Sequence, residues 1–145
     1  MATTRSKKSP ASTLKSTLAL YYTRVIGAVF TIIFLRTIIF PHATLSPIGV
    51  DYNSQSLPGR AELRAYYAGT ALIVVGGMLH QDIKVRVKLF LIQCLLGGFA
   101  CARVVGYCIE GGGDFGADCI FVIEVIGATV AHVLKRMETE SDKKK

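Results

Sequence analysis

Four long apolar stretches, 18–40, 63–79, 89–107 and 117–134, govern what this chain can fold into. About 20 mostly apolar residues cross a hydrocarbon core of about 30 Å as a helix, and each stretch reaches or approaches that length. A soluble helical bundle would need a polar stripe on every helix. The run 70–79 has none. The sequence therefore predicts an all-α fold, an integral membrane four-helix transmembrane bundle. Within 145 residues this gives a flexible basic tail over 1–13, a four-helix domain over 14–136 and a charged tail over 137–145. The helices are expected at about 14–40, 60–80, 84–108 and 116–136. Pro41 should stop the first, because proline disfavours helix in the residue before it. The segment from Pro41 to Gly59, with five Pro or Gly breakers, is expected to be a loop. Gly111, Gly112 and Gly113 should separate the last two helices.

Charge placement sets the expected orientation. Basic residues collect on the inner side of a membrane. Arg5, Lys7, Lys8 and Lys15 precede the first helix. Lys84, Arg86 and Lys88 fill the second connection, and Lys135, Arg136 and Lys143 to Lys145 follow the last helix. The third connection, 110–118, has acids and no base. Both termini and the middle connection should thus face the cytoplasm, matrix or stroma. The net charge of +7 is then mainly a topology signal. Without a binding motif or an interleaved aromatic surface it does not predict a nucleic-acid partner. No acidic residue precedes Asp51, and the first twenty residues are rich in Ser, Thr and Lys. That composition resembles an organellar import signal and equally suits a basic inner tail.

Arg103 and Glu124 sit inside the third and fourth apolar stretches. An unpaired charge at mid-bilayer costs at least ~2.5 kcal/mol. At 1.5 Å per residue the two backbones fall within about one turn of the same depth on antiparallel helices. Helical side chains lean towards their own N-terminus, so these two lean towards each other. Arg36, Glu62 and Arg64 lie at a similar outer depth. Together Arg36, Glu62, Arg64, Arg103 and Glu124 are expected to form an intramembrane polar cluster, either an ion network that fixes register or a site for an anionic or lipid-like ligand.

Small residues mark expected helix contacts, because close backbone approach drives association in lipid. Gly69 serves the second helix, Gly98, Ala102 and Gly106 the third, and Gly127 the fourth. Cys94, Cys101 and Cys108 recur every seven residues, about 10.5 Å apart along an axis, too far for one metal ion. Cys108 and Cys119 near the outer helix ends are candidates for a disulfide if that side is oxidising. No nucleophile motif, metal-ligand spacing or phosphate loop occurs, so neither enzymatic activity nor a cofactor is expected.

Arg64-Ala-Tyr-Tyr-Ala-Gly69, then Arg103-Val-Val-Gly106 with Glu110-Gly111, then Glu124, resembles the DUF4345 group of small four-helix membrane proteins over about 22–134. The resemblance implies a four-helix transmembrane bundle with Arg64, Gly69, Arg103, Gly106 and Glu124 as recurring residues, and the group carries no assigned activity. Ala68 stands where that group usually has a second Gly, and the basic N-terminal extension is a further departure. The expected role is a non-catalytic accessory subunit of a larger membrane complex, such as a supernumerary subunit of a respiratory or ATP synthase complex in the mitochondrial inner membrane. Its partners would be membrane lipids and other membrane subunits. The alternative is a small binder or carrier using the outer polar cluster.

Overall fold

The computed structural model describes the backbone over residues 10–48, 50–110 and 115–143. Residues 1–9, Gly49, 111–114 and 144–145, and with them the expected break at Gly111 to Gly113, lie outside the described residues. Every regular element described is helical: α1 (Pro10–Ile39), α2 (Pro41–Leu45), α3 (Leu57–Leu79), α4 (Val85–Glu110) and α5 (Phe115–Lys143), with a 3-10 turn over Ser46–Ile48.

Four long helices were expected, and a short fifth is present. The segment read as a loop after Pro41 begins with α2. Proline is tolerated there because its missing N–H falls in the first turn, where no intrahelical acceptor exists. Leu45 and Tyr52 anchor this connection, both nearly fully buried. The Val50 amide donates to the Leu45 carbonyl at 3.1 Å. Ser56 then caps α3 by accepting from the Gly59 amide at 3.3 Å, which satisfies one of the free donors of the first turn. The helix limits also differ at the ends. Helix α1 starts at Pro10, inside the expected tail, and α5 runs to Lys143 through what was read as a charged tail. Polar residues form helix readily when a long apolar helix has already borne the cost of nucleation.

α1 packs on α3 and α4 packs on α5; α1 also touches α4 and α5, whereas α3 and α4, though consecutive, scarcely approach. Two antiparallel pairs therefore lie side by side. The N-terminus of α1, the C-terminus of α5 and the α3–α4 turn share one end, here the terminal end. The opposite end is the loop end. Phe30, Ala71, Met78, Ile92, Leu96 and Ala131 make one core cluster. Ala19, Leu89 and Leu134 make a second, nearer the terminal end. Gly27 lets α1 approach α3, since a Cβ there would stand 3.2 Å from Met78 Cβ. Buried Thr23 and Thr37 turn their hydroxyls onto the Leu20 and Ile33 carbonyls at 2.9 and 2.8 Å.

Two helical stretches, Leu14–Ile39 and Val85–Ile109, are long and apolar enough to cross a membrane. Four such helices were expected. α3 carries Arg60, Glu62 and Arg64 in its first turns, and α5 carries Asp118 and Glu124. These charges interrupt the apolar runs.

Candidate functional site

The charge pair forms one centre within the α4–α5 pair. Arg103 Nε donates to Glu124 Oε2 at 2.9 Å, and Nη2 donates to Oε1 at 3.3 Å. A guanidinium presents its donors in a fork that matches both carboxylate oxygens, so the contact fixes orientation as well as distance. The Glu124 side chain is 8% exposed and that of Arg103 24%. Helix α5 buries Glu124 because Ala131, two turns along, lies on the same face and is fully buried. Tyr107, one turn beyond Arg103, sets its ring edgewise 6.1 Å from that of Phe121.

The other three charges do not join this centre. Arg64 turns to the α2–α3 connection, where Nη2 donates to the Tyr52 hydroxyl at 2.9 Å. Arg36 and Glu62 are exposed and have no side-chain hydrogen bond or ion pair among the described residues. Equal depth does not bring them together: all three are exposed, and Arg64 is held by Tyr52 instead. The expected cluster is thus a pair, Arg103–Glu124, and a separate Arg64–Tyr52 contact.

The small residues divide in the same way. Gly127 is a true contact: a Cβ there would lie 2.6 Å from Leu96 Cδ1 and 3.5 Å from the Tyr22 hydroxyl. That hydroxyl donates to the Gly127 carbonyl at 2.7 Å, tying α1 to α5. Gly69, Gly98 and Gly106 face open space, with nothing within 4 Å of a Cβ, and Ala102 is exposed. Their stripes look away from the close contacts of the bundle. Cys108 and Cys119 are free, exposed thiols rather than a disulfide.

Several polar contacts had no counterpart in the sequence reading. Lys88 is buried and donates to the Met78 carbonyl at 2.6 Å, capping the end of α3. Lys135 donates to Gln93 Oε1 and lies 5.0 Å from the centre of the Phe90 ring. Both lysines counted only as topology signals. For Lys88 the cue was its place in the first turn of α4, beside the end of α3; for Lys135 it was only the long stem that lets a lysine lie along apolar surface.

Chemically, the centre satisfies itself. Both Glu124 oxygens are held by Arg103, and among the described residues no group of three or more His, Cys, Asp or Glu side chains could hold a metal ion. Comparison with known proteins finds no matching family model, no matching curated protein and no matching solved structure. The resemblance to the DUF4345 group therefore rests on the residues quoted above alone.

Proposed function

We propose that the chain is an integral membrane protein and acts as a non-catalytic accessory subunit, packing beside lipids and other membrane subunits. One observation carries this reading: large apolar side chains are exposed on all four long helices. Val25, Val29 and Ile32 on α1, Leu72 and Ile73 on α3, Leu91 and Val105 on α4, and Ile123, Ile126 and Val133 on α5 all face outward. An apolar exterior on every side exceeds what a soluble monomer leaves in water and fits a lipid or protein surround. The mitochondrial inner membrane is the proposed host, supported by the import-like composition of the first twenty residues. The Arg103–Glu124 pair then serves to set register within α4–α5. The binder alternative has less support, because Arg36, Glu62 and Arg64 stand apart from that pair.

Native electrophoresis after gentle detergent extraction tests the proposal. The expected result is migration in a larger assembly whose members are identified by mass spectrometry. Migration only as a free 15.7 kDa chain would sink the subunit role.

A further inference from the structure

At the terminal end the α4–α5 seam carries positive charge that has no acidic partner among the described residues. Arg86, Phe90, Gln93 and Gly97 follow one another on α4 at spacings of four, three and four, which places them on one face. Across the seam, the half-buried Lys135 reaches from α5 to Gln93 Oε1 and over Phe90. Gln93 occupies one of the three ammonium donors, leaving two. Arg86 is exposed and has no side-chain partner among the described residues. Glu138 would be the obvious acid for Lys135, but among the described residues it forms no ion pair, and its Oε1 is buried instead.

The same seam narrows to small residues away from the charges. Gly97 meets Ala128 with a would-be Cβ contact of 4.0 Å. Cys101, one turn beyond Gly97, and Val125, one turn from Ala128, are both exposed. Gly97, Ala128, Cys101 and Val125 thus form a strip of small and apolar side chains, called the furrow below, that leads from the two cations into the apolar span. Cations at one end and a furrow at the other complement an anion that carries hydrocarbon chains.

We propose that this furrow binds an anionic glycerophospholipid, with Arg86 and Lys135 donating to the phosphate oxygens and the first acyl methylenes lying over Gly97 and Ala128. The site rests on the membrane placement proposed above and names one lipid partner for it. Gln93 and Phe90 hold the Lys135 ammonium in place before the lipid arrives, so less side-chain freedom is lost on binding.

The test uses the full chain purified in mild detergent, with native mass spectrometry of lipids retained after exchange into mixed phosphatidylglycerol and phosphatidylcholine. The wild type is expected to retain phosphatidylglycerol selectively. Arg86→Gln with Lys135→Gln should lower that selectivity about thirty-fold, at about 1 kcal/mol per base near a charged surface. Arg86→Lys with Lys135→Arg should keep it. Lys84→Gln, which removes an exposed base at the same end but outside the furrow, should also keep it. The site is overturned if the wild type shows no preference, if the double Gln variant retains it, or if Lys84→Gln loses it equally. Alkaline carbonate extraction separates this from the parent reading. Release into the soluble fraction sinks membrane placement, whereas a membrane-bound chain without lipid preference sinks only the furrow.

Discussion

Gly127 and Gly98 are both helical glycines, and their surroundings give opposite expectations. At Gly127 an added methyl meets Leu96 in a filled core; overpacking of that kind costs about 1–3 kcal/mol, which outweighs the up to about 1 kcal/mol that alanine's helix propensity returns. At Gly98 it meets nothing, so the better helix propensity of alanine should add up to about 1 kcal/mol. Thermal unfolding in detergent of Gly127→Ala and Gly98→Ala checks both signs; equal shifts would contradict this assignment. For the ion pair, Glu124→Leu alone should cost about 3–5 kcal/mol, since it strands a part-buried guanidinium. Arg103→Met with Glu124→Leu should recover most of that, because the pair is then replaced by packing atoms of similar volume. A double variant as unstable as the single would mean that the pair does more than satisfy itself. The Arg103–Glu124 contact is legible in the sequence because depth follows from rise per residue and lean follows from the Cα–Cβ direction. Arg36 and Glu62 are not legible in that way. Whether two residues at equal depth meet depends on how each helix is rotated, which only packing decides.

At the scale of elements, Lys88 joins two helices. Its ammonium takes a carbonyl at the end of α3 while its backbone belongs to the first turn of α4. Lys88→Met should cost about 1–3 kcal/mol, the price of orphaning a buried acceptor. It should also speed amide exchange selectively in the last turn of α3. Uniform acceleration along α3 would point to loss of packing instead. The four long helices are legible from apolar length, which is a robust signal. The α2 helix and the extension of α5 are less so. Pro41 both ends α1 and opens α2, and from sequence alone a proline that stops one helix looks the same as one that starts the next. The glycine stripes show a related limit: recurrence at helical spacing defines a face but not what lies opposite it.

At the scale of the whole molecule, the bundle presents all four cysteines on its exterior. Cys101 lies near the middle of the apolar α4 span, with Cys108 close to its far end. In intact membranes an impermeant charged maleimide should label Cys108 and leave Cys101 unmodified, while an apolar maleimide should label both. Equal labelling of Cys101 by the two reagents would mean that water reaches the centre of α4, against a bilayer surround.

The close partners are α1 with α3 and α4 with α5, joined by the short turn at Gln81 and Asp82. Each pair is contiguous along the chain, so each can form as soon as its second helix leaves the ribosome. Arg103 and Glu124 belong to the same hairpin. If the chain enters a bilayer as proposed, Arg103 and Glu124 can neutralise each other during biosynthesis before either meets lipid alone, so that α4–α5 arrives with its two innermost charges already paired.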